Sequence, residues 1–205
     1  MPFDFLKKNK PSPTEAGPIP TAADAAGETQ IVAFDGLTEE WRLVGAMRLD
    51  GRLSDILNRR ESIPISDVSW APIDGSEPFS PAPGLKAIDP YDLIVVLAGA
   101  TTLPLMSEDE KAAHRIHKIS YDVALEVPPF KVIGTVYLFP GSEPERLLDR
   151  ATEMFVPVTD ALAFLGEQQI GETEVDTFLV NRSYLRGVEQ VDRRARHGQA
   201  RPPSG

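Results

Sequence analysis

WRLVGAMRL (Trp41 to Leu49) and FKVIGTVYL (Phe130 to Leu138) carry one pattern: aromatic, basic, two aliphatics, glycine, a small residue, an aliphatic, a variable position, leucine. The second begins 89 positions after the first, at 130 against 41. Further on, Arg52-Leu53-Ser54-Asp55 lines up with Arg146-Leu147-Leu148-Asp149, and Ile63-Pro64-Ile65-Ser66-Asp67-Val68 with Val156-Pro157-Val158-Thr159-Asp160-Ala161. Ile88-Asp89-Pro90-Tyr91-Asp92-Leu93 can be set against Val180-Asn181-Arg182-Ser183-Tyr184-Leu185. Four blocks in one order, with a spacing that drifts only between 89 and 94, read as a tandem duplication. The competing reading is two unrelated halves whose strands resemble each other because strands share a composition.

The alternation in both quoted stretches has the two-residue period of a half-buried strand. Gly45 and Gly134 then fall mid-strand, where a missing side chain marks a bulge or a tight bend. Thr29 to Phe34 and about Lys118 to Val127 are read as the preceding strands, each closing a hairpin. Leu53, Ile56 and Leu57 form one helical stripe, and Leu147, Leu148, Ala151 and Met154 form its counterpart. Ser142 and Glu145 have capping-box spacing, with Pro144 in the first turn, and Ser54-Asp55 reads as the start of the first helix. Pro64 and Pro157 cannot donate to a ladder, so they are expected at a strand start or on an edge, blunting it against aggregation. Thr177 to Asn181 and Tyr184 to Val191 read as a further hairpin. Each copy is thus about five strands and one short helix, a mainly β fold built as a small curled sheet or partly open barrel. The two copies are expected to be related by pseudo-twofold symmetry.

The boundaries follow from composition. Residues 11–28 are rich in Pro, Ala, Thr and Gly and poor in large apolar side chains, so residues 1–28 read as a disordered arm. Residues 29–105 hold the first copy. A short helix from Glu108 to about Arg115, opened by Ser107-Glu108-Asp109-Glu110, leads into the second within residues 106–192. The last stretch, residues 193–205, holds Arg193, Arg194, Arg196 and Arg201 without an acid and reads as a disordered basic tail.

The net charge of -10 disfavours general phosphate-backbone binding, because that attraction needs a surplus of lysine and arginine. The 205 residues contain no cysteine, which removes disulfides, thiolate metal sites and a cysteine nucleophile. The uncharged run from Leu93 to Met106 is too short to cross a membrane and is interrupted by Pro104. The opening MPFDFLKKNK reverses the order of a secretory signal. A cytoplasmic location is the resulting expectation.

The blocks resemble an uncharacterised bacterial domain family with an Arg-Leu-Ser-Asp-x-Leu-Asn signature. Gly51-Arg52-Leu53-Ser54-Asp55-Ile56-Leu57-Asn58 carries that signature in the first copy, while Val180-Asn181-Arg182 carries the family's late Val-Asn-[RK] element in the second. The resemblance implies a small β-rich domain and brings no reaction or ligand with it. Arg59-Arg60 followed by Asp67 and Ser69 also partly resembles the cyclic di-GMP site of PilZ domains, but Pro72 stands at the glycine position and the second copy lacks the arginines.

No phosphate loop, dinucleotide fingerprint, nucleophile elbow or His-Glu-x-x-His motif is present, so neither a cofactor nor an enzymatic role is expected. His114 and His117 have one-face helical spacing, readable as half a metal site or as a solvated connector. Asp67 and Asp160 are readable as paired carboxylates or as local caps of strand ends. Phe3, Phe5 and Leu6 with Lys7 and Lys8 form an apolar, basic peptide on a long arm, suited to docking on a protein partner or to weak contact with an anionic membrane. The expected function is a non-enzymatic binding, assembly or adaptor protein, the alternative being a small-ligand or nucleotide sensor using the groove between the copies.

Overall fold

The computed structural model of the chain describes residues 30–99, 102, 118–149, 153–170 and 177–192. β1 (Gln30–Leu37) and β2 (Trp41–Leu49) pair antiparallel from Gln30 opposite Leu49 to Leu37 opposite Arg42. Helix α1 (Leu53–Asn58) buries Leu53, Ile56 and Leu57 and leads into β3 (Ile63–Pro72), which returns along β2. The short strands β4 (Ser80–Pro81) and β5 (Ala87–Ile88) both lie along the far side of β3. A 3-10 turn, Pro90–Asp92, then carries the chain to β6 (Val95–Ala98) on the far side of β1.

The second half repeats this path. β7 (Ile119–Val127), β8 (Phe130–Leu138) and β9 (Phe155–Leu165) form a meander, and β10 (Gln168–Ile170) and β11 (Thr177–Asn181) lie along β9. β12 (Gly187–Gln190) returns to β7. The register agrees residue for residue. Gln30 opposite Leu49 corresponds to Ile119 opposite Leu138, Ile63 opposite Ile88 to Val156 opposite Val180, and Leu37 opposite Val95 to Glu126 opposite Gly187.

Even the irregularity is shared. Between Val44 and Ala46 the β2–β3 register slips, and between Ile133 and Thr135 the β8–β9 register slips in the same way. The residues opposite include Asp67 and Asp160, which adopt left-handed φ values of 54° and 48°. Aspartate tolerates that region better than β-branched or bulky residues. A Cβ on Gly45 would lie 2.8 Å from the Ser66 carbonyl oxygen, and one on Gly134 would lie 2.8 Å from that of Thr159. Glycine on one strand and aspartate on the other therefore form a matched bulge that bends each meander.

The two meanders join in one open antiparallel sheet with order β12-β7-β8-β9-β11-β6-β1-β2-β3-β4, β10 lying against β9 and β5 against β3. The curled sheets expected of each copy are thus merged, because β6 and β11 pair with each other from Val95 opposite Val180 to Ala98 opposite Thr177. The expected Thr177 to Val191 hairpin does not form: β11 and β12 are consecutive in the chain but pair with different strands. Among the described residues each half supplies six strands rather than about five. The pseudo-twofold is also corrected. A twofold that pairs β6 with β11 requires β5 to pair with β12, whereas β5 pairs with β3 and β12 with β7, so the halves meet head to tail.

The second expected helix is only a 3-10 turn, Pro144–Leu148, with Glu143 rather than Ser142 at its N-cap and no side-chain cap bond. Its Leu147 is buried while Leu148 is 41% exposed, so the expected stripe does not face the core as a unit. Arg52, not Ser54, is the N-cap of α1, and Ser54 lies inside the helix. Pro64 and Pro157 do not guard an outer edge, since β5 and β11 cover those strands; they stand where the β2 and β8 ladders have ended. The expected helix at Glu108 to Arg115, and residues 1–29 and 193–205, lie outside the described residues.

Inserting a methyl at Gly134 brings it within 2.6 Å of Val158 Cγ1 as well as onto the Thr159 carbonyl. Gly134→Ala is expected to cost about 1–3 kcal/mol in urea unfolding, whereas Gly51→Ala, with nothing within 4 Å of its Cβ, should stay within about 0.5 kcal/mol of the parent.

Candidate functional site

Two continuously buried runs, Leu93 to Ala98 and Thr177 to Val180, set the geometry of the seam. A strand solvated on one face alternates, whereas these residues are buried without exception, as a strand covered on both faces requires. Val96, Ala98 and Leu179 face the core packed around Phe34, Met47 and Leu57; Val95, Leu97, Phe178 and Val180 face the core packed around Val123, Phe130 and Val158. Each core thus contains side chains from both halves, including Phe155 in the first and Leu37 in the second.

Polar groups close the lower end of this seam. The Asn181 side chain, fully buried, donates to the Leu93 carbonyl at 2.8 Å and the Pro90 carbonyl at 3.4 Å, while its backbone N–H donates to Ile94 at 2.9 Å. Asn58 of α1 donates to the Phe155 carbonyl at 3.2 Å and accepts from the Phe155 N–H at 2.7 Å. The Tyr184 hydroxyl donates to the Tyr91 carbonyl at 2.9 Å. Its pKa is pushed above the ordinary tyrosine value, mainly by burial and then by the Asp92 and Glu39 charges. These bonds all run from one half to the other, and both Asn58 and Asn181 lie in the stretches quoted above for their resemblance, which assigned them no role.

Arg182 works inside the second half. Its guanidinium donates to the carbonyls of Leu147 and Arg146, each at 2.8 Å, and of Glu153 at 3.4 Å. Burial pulls its ionisation below the ordinary arginine value, against the opposing charges of Asp149 and Glu153. The Arg146 carbonyl accepts from Arg182 in addition to the Asp149 N–H at 3.0 Å that closes the 3-10 turn, so the guanidinium ties that turn to the end of β11. In the first half Pro90 occupies the corresponding position and α1 keeps its own carbonyl bonds, such as Arg59 N–H to Asp55 at 3.1 Å.

Two clefts occupy corresponding places in the halves. The cleft in the second half, about 560 Å³, is bordered by Lys118, Tyr137, Phe139, Arg146 and Pro157. Its counterpart, about 290 Å³, is bordered by Arg48, Asp50, Arg59 and Pro64. In the smaller cleft Arg59 donates twice to the Asp50 carboxylate at 3.2 Å and holds its pKa below the ordinary value. In the larger, the Lys118 ammonium lies 5.3 Å from the Phe139 ring centre. Each is lined by one half alone.

An aromatic platform lies at the other end of the first meander. Trp41 and Trp70 stack at 4.9 Å, and the Arg42 guanidinium sits 5.9 Å from the Phe79 ring while pairing with Asp35 at 2.6 Å. Trp70 and Phe79 are 41% and 45% exposed. Trp41 opens the repeated block, yet its side-chain partner could not be read without the β2–β3 register.

The matched aspartates are not a carboxylate pair. Asp67 and Asp160 lie on β3 and β9, separated in the sheet by β11, β6, β1 and β2, and they stand inside strands rather than at strand ends. Asp67 accepts from the Ser66 hydroxyl at 3.2 Å. Arg59 and Arg60 of the PilZ comparison are both exposed, the former engaged with Asp50. The three histidines and the Phe3 to Lys8 peptide lie outside the described residues, among which no three His, Asp or Glu side chains gather to hold a metal ion. No helix among the described residues is long and apolar enough to cross a membrane.

Comparison with known proteins places no relative beside this chain: no protein-family model, no curated protein and no solved structure matches it.

Asn181→Ala leaves the Leu93 carbonyl buried without its donor and is expected to cost about 1–3 kcal/mol by chemical denaturation. Ser183→Ala, which keeps the backbone bond from Ser183 N–H to Asn181 Oδ1, should have little effect in the same assay.

Proposed function

We propose that this protein is a non-enzymatic assembly module, built by tandem duplication of one small β unit and acting through protein contact rather than through chemistry. The observation that carries the reading is the seam. Two units with matching register are held together edge to edge by main-chain pairing, with both faces of the joining strands buried. The head of one unit accepts the tail of the next, an arrangement suited to building a larger sheet. The matched bulges support duplication over chance resemblance, since a shared composition does not dictate a shared register slip at one position. The resemblance to the bacterial signature family is retained as part of this proposal.

The exposed aromatic platform supports a role in contact, because tryptophan, phenylalanine and arginine are the side chains that interface centres favour. The apolar, basic N-terminal peptide supplies a second means of engaging a protein partner. A small-ligand reading draws on one observation, the larger cleft with Lys118 and Arg146 at its rim. These cations suit an anionic ligand.

Cross-linking in the native cell separates the two readings. The intact chain is expected to trap a defined protein, with the yield reduced on removal of residues 1–28 or in Trp70→Ala. The assembly reading fails if no protein is trapped and a nucleotide or other anion instead raises the melting temperature by several degrees, an effect lost in Lys118→Ala with Arg146→Ala.

A further inference from the structure

A head-to-tail joint leaves one head and one tail unused. In the seam β6 is the head and β11 the tail. By the shared register, β12 corresponds to β6, and β5 with its preceding residues corresponds to β11, since Gly187 takes the place of Val95 and Ile88 that of Val180. β12 pairs only with β7, and β5 pairs only with β3, among the described residues. We infer that β12 of one copy of this chain pairs with β5 of a second copy, reproducing between molecules the ladder that β6 and β11 form within one. The inference rests on the assembly reading above and names its partner.

Transferring the seam register fixes the contacts. Ala98 opposite Thr177, Leu97 opposite Phe178, Val96 opposite Leu179 and Val95 opposite Val180 become Gln190 opposite Leu85, Glu189 opposite Lys86, Val188 opposite Ala87 and Gly187 opposite Ile88. The hydrogen-bonding phase is right for this. Val191 N–H bonds to Asp122 and Ile65 N–H to the Lys86 carbonyl, each at 2.9 Å. By the alternation of an antiparallel ladder, Val188 and Ala87 then turn their N–H and C=O groups outward, as Val96 and Leu179 do toward each other in the seam.

Charge selects the partner. Lys86 and Glu189 are both exposed, and they fall on the non-hydrogen-bonded pair, where opposed side chains lie closest. A charged residue on an open strand discourages random pairing. β12 meeting β5 in the seam register opposes a lysine to a glutamate, a match that neither edge can make with itself: β5 offers only the lysine and β12 only the glutamate. Charge therefore favours the mixed pair. The apolar Leu97 and Phe178 of the internal seam make a permanent joint; the ionic counterpart between molecules makes a reversible, salt-sensitive one. The Pro144–Leu148 turn lies beside β12, yet Glu189 and Gln190 remain exposed past it. A heterologous contact of this kind propagates as a ring or an open filament.

Light scattering coupled to gel filtration of the full chain, from micromolar to near-millimolar concentration at low salt, tests this. The parent is expected to exceed the 22.4 kDa of one chain and to fall toward it as salt is added. Lys86→Glu or Glu189→Lys alone should weaken self-association about tenfold, and the two together in one chain should restore it. Val188→Pro removes the donor that the ladder alternation turns away from β7 and should give a folded monomer, with folding checked by circular dichroism. A parent chain that stays monomeric throughout, or an assembly unchanged by Val188→Pro and by the single reversals, overturns the inference. Cross-linking of a different protein in cells would still stand in either case, so the broader assembly reading fails separately.

Discussion

The ladder between β6 and β11 is the constraint on which the rest of the structure depends. Four residues of each strand bring their backbone groups into register and lose solvent on both faces. Buried backbone polar groups must be paired, and here the pairing is supplied by the other half. The two cores are then mutually dependent. Phe155, Met154 and Leu179 fill the first, and Leu37, Ile94, Val95 and Leu97 fill the second. Asn58, Asn181 and Tyr184 satisfy the polar groups left at the end of the joint. No buried side-chain nitrogen or oxygen among the described residues lacks a partner.

The bulges are the second element of the design, since they allow strands of 8 to 11 residues to bend back on a short meander. Bulge and seam act together: on a bent meander the chain passes from β5 or β11, beside β3 or β9, to the far side of β1 or β7 within a few residues, leaving short strands at each end of every half. Two such units have four ends. Joining one head to one tail uses two of them, and the remaining pair, Gly-Val-Glu-Gln and Leu-Lys-Ala-Ile, each carry a charged residue at the place that Leu97 or Phe178 holds in the seam.

Much of the meander was legible in the sequence. The quoted blocks coincide with β2 and β8, and the mid-strand glycines mark the bulges, because period-two alternation and a missing Cβ are local signals. What joined to what was less legible. Val180-Asn181-Arg182-Ser183 looks like a hairpin turn because Asn and Ser favour turns, and an Asx turn does form from Ser183 N–H to Asn181 Oδ1, but it sends the chain to another strand. Head-to-tail order depends on a long-range pairing that no local pattern encodes. One signal bears on it: the unbroken apolar run Leu93 to Ala98 denotes a strand covered on both faces. The candidate site was legible as residues and not as roles. Asn58 and Asn181 stood within the signature, while their task of bridging the halves required knowing which carbonyls lay opposite.

Hydrogen exchange at single-residue resolution addresses the central claim most directly. In the ladder Asn181 N–H bonds to Ile94, which places Val96 and Leu179, and Ala98 and Thr177, in the bonded pairs that cross between halves. Their amides should exchange only through global unfolding, as slowly as those of Val123 or Phe34 in the two cores. If these four amides exchange freely while the two meanders remain protected, the halves are independent units and the shared sheet is wrong.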